Sequence, residues 1–358
     1  MVAAATVGDG VFALPFIFYA SGWIPGVFFL VVLAVFISMA HFVYLKTLEK
    51  NGEKEHLLGF ARRYLGVPGF WAGLMAIVVG LLLTLVAYLV LGSQFLSLAI
   101  PGIPAGAAFL IFWAIISVPV FVNDRHLFEL ELLGVGCTAA IIIFIFLTAW
   151  PSARLASVPA VNPENFLLPF GAILFSLAGW TSVEPVFEFR KKLGANADPW
   201  RPLAVGTFLA ALLYLLFVIG IIASVPALST DTVAGLAGWP LWKKDIIAAC
   251  GLIAVATVYM PISREIKKSM EIDLHWGKWA SRTLIILFPP ALVLAGVNNF
   301  MLIVSVVGGL FLSMQYLLIA AIGRRALTLA PWQKLFLDLI TLSFIGSAVY
   351  QAYIFVVH

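Results

Sequence analysis

Apolar and polar positions along this chain are segregated into blocks. From Gly10 to Leu45, Tyr64 to Asn123 and Leu132 to Ala153 there is no Asp, Glu, Lys or Arg. Each block is long enough for at least one helix of the about 20 apolar residues that cross a bilayer. Broken at Gly, Pro and charge clusters, the pattern predicts eleven membrane helices, near 2–21, 23–46, 70–99, 104–122, 127–150, 168–190, 203–224, 244–263, 279–296, 299–322 and 332–356. Runs such as GLLLTLVAYLVLGSQFLSLAI lack the two-residue alternation of a membrane β-strand, so the expected fold is all-α.

Composition agrees with an integral membrane protein. The 358 residues are 63% hydrophobic and 11% charged, against the roughly 45–50% apolar content of a soluble domain. Of the 21 Lys and Arg, all but Arg154, Lys243 and Lys244 follow even-numbered helices. Basic residues collect in cytoplasmic loops, which predicts a cytoplasmic N-terminus and an outside C-terminus in the plasma (cell inner) membrane. Topology thus accounts for the net charge of +4 without a nucleic-acid partner. Cys137 and Cys250 fall within predicted spans and suggest neither a disulfide framework nor a thiolate metal centre. The N-terminus has no basic region or cleavage site and reads as a first helix. With eight residues before its first break, about 12 Å of helix, a longer natural N-terminus is expected.

The connections are short of soluble domains. Residues 46–70 contain HLLGFARRYLG, which reads either as an interfacial helix with Leu57, Leu58 and Phe60 on one side or as a solvated connector. The Pro-, Ser- and Gly-rich stretches 151–167 and 225–242 read as outer loops carrying short helices.

Two helices carry unusual interruptions. The first has Gly8-Asp9-Gly10 followed by Pro15, and the sixth has FSLAGWTSVEP, with Gly179 and Pro185 around Thr181 and Ser182. An offset of five places the second set in the membrane with opposite polarity. That is the pattern of inverted repeats whose broken helices meet at the membrane midplane, as in secondary transporters. Backbone freed by such a break must be satisfied by protein, ion or substrate, since lipid offers nothing. The repeats are expected at 1–150 and 165–326, with an additional helix at 327–358.

At these motifs the sequence resembles the amino acid, polyamine and organocation transporter superfamily, with its LeuT-like five-plus-five inverted repeat. TVGDGVFALPFIFYASGW resembles the first helix of the amino acid/auxin and aromatic amino acid permease branches. PFGAILFSLAGWTSVEP resembles their sixth helix, and FPPALVLAGVNNFMLIVSVVGGLF their ninth and tenth. The resemblance implies a carrier of amino acids or related amines in which Gly8, Asp9, Gly10 and Val11 face Ser176, Leu177, Ala178, Gly179, Trp180 and Thr181 around the substrate. Trp180 would be a gate or substrate wall.

Three residues bear on coupling. Asp9 stands where relatives commonly carry a small or hydroxyl residue, and an ionised Asp9 would repel a substrate carboxylate. Either it is protonated when substrate binds, or the substrate presents an amine there. Glu184, one turn beyond the sixth-helix break, is a proton relay, a gate partner or a residue snorkelling to the interface. Sodium-coupled relatives place two hydroxyls on helix 8, whereas AVATVYMP supplies Thr257 alone, which favours H+ over Na+ as the coupling ion. No cofactor is expected. A ligand sensor on the same scaffold, without net transport, is the alternative class, and the sequence has no HExxH or GxSxG catalytic motif. His41 and Gln94 read as satisfied bundle side chains, Asn298-Asn299 as a turn, and Glu188 as a salt-bridge partner of Arg190, Lys191 or Lys192. Glu129, Glu131 and the Lys334/Asp338 pair read as helix-end surface charges.

Overall fold

The structure, a computed structural model, describes residues 9–52, 55–121, 127–149, 158–193, 200–224 and 232–357. Among these, eleven helical elements fill the eleven expected places. α1 opens with a 3-10 turn, Asp9–Ala13, and continues as Leu14–Ser21. α2 is Trp23–Asn51, α3 Leu57–Ala99, α4 Ala105–Phe121 and α5 Leu127–Ala149. α6 consists of Leu168–Leu177 and Val183–Leu193 on either side of a break. α7 is Trp200–Ser224, α8 Leu241–Asp273, α9 Lys278–Leu294, α10 Phe300–Ala326 and α11 Pro331–Val357. Among the described residues seven helices are long and apolar enough to span a membrane, and the shorter α1, α4 and α5 are apolar as well.

Both breaks follow from local chemistry. A proline has no N–H and its ring clashes with the carbonyl four residues earlier, so it belongs in a first helical turn. Pro15 and Pro185 occupy such positions in Leu14–Ser21 and Val183–Leu193. Ahead of Pro185 the chain is non-helical at Ala178, with ψ of 111°, and at Gly179, with φ of −137°, before a 3-10 turn at Trp180–Ser182. In α1 and α6 alike, the short 3-10 turn lies immediately before the proline-started helix. The chain therefore changes conformation at the places where glycine and proline reverse helical preference.

Three further irregularities are π-turns: Leu74–Val79 in α3, Val307–Leu312 in α10 and Ser269–Asp273 at the end of α8. A π-turn misaligns the helical ladder and commonly accompanies function. The carbonyl of Ala76 in the first accepts from Gln315 Nε2 at 2.7 Å, and that of Gly309 in the second accepts from Ser347 Oγ at 3.2 Å. Near Gly66, whose φ is +72°, α3 bends. Of the two readings of residues 56–66, helix or solvated connector, the structure shows a helix from Leu57, and its Leu57, Leu58 and Phe60 are buried.

The broken helices occupy the centre. α8 packs on α3 and α5, α7 on α5 and α2, and the first half of α6 on α2 and the π-turn of α10. At the last contact a Cβ on Gly308 would lie 1.9 Å from the Gly171 carbonyl oxygen, so only glycine permits this helix spacing. The short helix Thr232–Gly235 lies over the α1 turn, where Thr232 Oγ1 donates to the Phe12 carbonyl at 2.5 Å.

Candidate functional site

The breaks in α1 and α6 face each other. A Cβ on Gly10 would sit 2.8 Å from both Ser176 Cα and Ser176 Oγ, so the absence of a side chain lets the two backbones meet. Backbone carbonyls around this meeting point are claimed from several directions. Tyr214 Oη of α7 donates to Ser176 O at 2.7 Å, and Ser182 Oγ donates to Gly179 O at 2.6 Å. The Ser176 hydroxyl itself turns back to Ala172 O at 2.8 Å, so Ser176 contributes backbone here.

Of the residues expected in the site, Gly10, Val11, Ser176, Leu177, Gly179 and Trp180 are buried, and Ala178 and Thr181 half-buried. Gly8 lies outside the described residues. Asp9 begins the α1 turn, and its side chain likewise lies outside what is described. Thr257 is placed differently from the rest. Its hydroxyl donates to Ala254 O at 2.8 Å and lies against Gly134 of α5, where an added Cβ would be 1.6 Å away.

Aromatic rings surround the opposed breaks. Phe12 meets Phe95 edge-on at 4.9 Å and Phe217 at 5.1 Å, while Tyr88 meets Phe175 at 6.1 Å. Trp180 is fully buried and its Nε1 donates to Gln315 Oε1 at 2.5 Å. Gln315 is held in turn by Ala76 O, so the π-turn of α3 positions the indole through a single side chain. The Tyr316 hydroxyl, next to it in the chain, lies 3.0 Å from His41 Nε2. His41 Nδ1 and Gln94 Oε1 are buried with no hydrogen-bond partner among the described residues, so these two side chains are not the fully satisfied bundle groups expected.

Toward the basic end of the bundle the rings give way to charge. Trp180 stacks edge-on with Tyr44 at 6.0 Å, and Tyr44 Oη donates to Glu184 Oε1 at 2.7 Å. Glu184, 4% exposed, also accepts from His56 Nδ1 at 2.9 Å and from Lys268 Nζ at 2.8 Å. It does not snorkel to the surface; three partners on α2, α8 and the α2–α3 link hold it. Burial disfavours the His56 cation, but the hydrogen bond and charge of Glu184 outweigh that, and its pKa is raised above 6.5. Glu265, on α8, is also buried, and its Oε1 has no hydrogen-bond partner among the described residues. Asp273 Oδ1 lies beside Gly59 in the first turn of α3, where an added Cβ would be 2.9 Å from it.

His56, Glu184 and Glu265 each bring one potential metal-ligand atom within 4.8 Å of the others. The Lys268 ammonium lies 2.8 Å from Glu184 and supplies positive charge to this cluster. A cavity of about 230 Å³ reaches it, lined by Leu48, Glu55, His56, Glu184, Phe187, Glu188 and Lys268. Glu188 lies 4.0 Å from Lys268, while Arg190 pairs with Glu49 at 3.7 Å. Glu188 thus has a cationic neighbour on α8, where the sequence pointed to Arg190, Lys191 or Lys192 on its own helix. The Asp338 partner is Arg324 of α10.

Comparison with known proteins places this geometry. The profile of the tryptophan/tyrosine permease family matches residues 1–238. No curated protein sequence matches. The fold is similar to that of MhsT solved in complex with L-phenylalanine, at 14% identity over 98% of this chain and 96% of that one, with a TM-score of 0.63. It is also similar to the Eremococcus coleocola manganese transporter solved with an aromatic bis-isothiourea compound, at 15% identity, 98% and 85% coverage and a TM-score of 0.64. These likenesses establish the LeuT-type architecture with broken helices 1 and 6.

Proposed function

Because the chain belongs to the tryptophan/tyrosine permease family, we propose that it imports aromatic amino acids by proton-coupled alternating access. The observation that carries this reading is the meeting of Gly10 with Ser176 inside a shell of aromatic rings. Backbone N–H groups at the start of the outer half of α1, from Val11 onward, suit a substrate carboxylate. The carbonyl-rich end of the first half of α6, through Ser176, Leu177 and Ala178, suits the amino group. Trp180 and its aromatic neighbours suit the ring, with Thr181 at the margin. A neighbour of this fold holding L-phenylalanine supports that choice of substrate.

In the transport cycle the bundle containing α1 and α6 rocks against the remaining helices. Asp9 takes up a proton before or with the substrate, since a charged carboxylate there would repel the substrate's own. Glu184 is the second acid of the coupling route, being buried and in contact with the site through Tyr44. The position of the Thr257 hydroxyl, turned to Ala254 O and Gly134, supports protons over sodium. The orientation that fits the charge distribution puts the Glu184 cluster on the cytoplasmic side.

Purified protein in liposomes tests the reading. An imposed inward proton gradient is expected to drive accumulation of tryptophan or tyrosine, and Asp9→Asn to abolish it. Uptake indifferent to the gradient, or unchanged in Asp9→Asn, overturns the coupling. Substrate binding without counterflow identifies a sensor instead.

A further inference from the structure

The Glu184 cluster contains more acid than its partners require. Lys268 pairs with Glu184, yet Glu265 sits one helical turn from Lys268 on the same face, buried, with an oxygen that no described group satisfies. A buried carboxylate without a partner is costly, whereas a carboxylic acid is not. His56, Glu184 and Glu265 present their reactive atoms within 4.8 Å of one another. The two carboxyls therefore lie within 4.8 Å of each other, the Lys268 ammonium is on Glu184, and a side-chain rotation brings the acids to proton-exchange distance.

We propose that Glu265 is a proton-carrying residue of the transport cycle, and that Lys268 exchanges Glu184 for Glu265 when the proton passes between them. This rests on the proton-coupled reading above. In the locked state Glu265 is a neutral acid and the Glu184 carboxylate binds Lys268 and His56. In the step itself the O–H bond of Glu265 breaks and an O–H bond forms on Glu184. Glu265 becomes the carboxylate that pairs with Lys268, so the cluster's net charge does not change. Neutral Glu184 no longer holds α6 to α8 and to the α2–α3 link, while it keeps its bond with Tyr44 of α2. Opening toward the cavity beside Leu48 and Phe187 then exposes Glu184, which loses its proton to the cytoplasm. Release restores a carboxylate that recaptures Lys268 and closes the gate, and Glu265, left ionised, takes up the next proton arriving from the Asp9 side, which restores the locked state.

The other charged groups around the pair are compatible with this exchange. Arg264 and Asp273 lie on α8, Glu188 on α6, Glu55 in the link and Glu49 on α2, and Glu49 and Glu55 are themselves paired with basic residues. Trp180 touches Tyr44, so occupancy of the substrate site is felt at Glu184 through two side chains.

Tritiated tryptophan in proteoliposomes separates the possibilities. The ratio of gradient-driven uptake to gradient-free counterflow is expected to fall at least about tenfold in Glu265→Gln. A second readout uses maleimide labelling of Phe187→Cys, with Cys137 and Cys250 replaced by Ser. With the cytoplasmic-side pH fixed at about 7, so that His56 keeps one charge state, labelling is expected to be faster with an inward proton gradient and tryptophan than without them, to lose that acceleration in Glu265→Gln, and to be fast under both conditions in Lys268→Met. Should Glu265→Gln lack both transport modes, loss of the labelling acceleration still supports the proposal and its retention overturns it. Wild-type coupling in Glu265→Gln overturns the role of Glu265 alone. A wild-type chain without gradient-driven uptake overturns the proton-coupled reading beneath it.

Discussion

The indole of Trp180 on α6 and the amide of Gln315 on α10 are joined by a hydrogen bond of 2.5 Å, and the same amide binds the π-turn carbonyl of Ala76. The residue beside the α6 break is therefore positioned by a helix outside its own. Replacing Gln315 with Leu leaves both the indole N–H and the Ala76 carbonyl unpaired in a dry environment, each worth about 1–3 kcal/mol. Thermal unfolding in detergent is expected to show this loss, together with weaker tryptophan binding. Trp180→Phe and Gln315→Leu should be non-additive when combined, because each removes the same bond; strict additivity would deny the coupling.

Breaking the Glu184 cluster should cost more than breaking a surface pair. Glu184→Gln strands a largely buried Lys268, and removal of one partner from a buried ion pair costs about 3–5 kcal/mol. Asp338→Asn removes the exposed partner of Arg324 and should cost no more than about 1 kcal/mol. Melting temperatures of the two variants check the order, and equal losses would contradict it.

The cluster also makes stability depend on pH. His56 is raised above its ordinary value of 6.5 by Glu184 in the folded state. Its contribution is then fully present below pH 6.5 and is lost as pH rises through the higher folded value. Melting temperature followed from about pH 6 to about pH 9 should decline through that window. His56→Ala should flatten the decline, and an unchanged slope would assign it to another group.

Gly308→Ala places a methyl group where the Gly171 carbonyl already lies. The first half of α6 must move away from α10, at about 1–3 kcal/mol for overpacking of this kind. Reduced melting temperature with impaired uptake is expected, and wild-type behaviour would show that the contact is loose.

The helices and their breaks were legible because their causes are local. Pro15, Gly179 and Pro185 impose their conformations within one turn, and the charge-free blocks mark the spans directly. The basic-end cluster was not legible, since Glu184 meets His56 across 128 residues and Lys268 across 84. Only packing of α2, α6 and α8 brings them together. Glu265 carried a usable signal, an acid close to the end of a predicted span, but four neighbouring charges at 264, 267, 268 and 271 made it look like part of a solvated helix end. Gln315 carried less, because nothing in the sequence reports that a π-turn will offer it a carbonyl. Asn299 behaved as its residue type implies, capping α10 by accepting from Leu302 N at 3.0 Å.

The central claim, that the opposed breaks at Gly10 and Ser176 form the site for an aromatic amino acid, is tested most directly by counterflow of tritiated tryptophan in proteoliposomes. Wild-type protein should exchange it in competition with tyrosine, and Gly10→Ala, whose methyl group would press on Ser176, should lose exchange while remaining folded. No exchange of either amino acid by the wild type, or wild-type exchange by Gly10→Ala, would contradict the account.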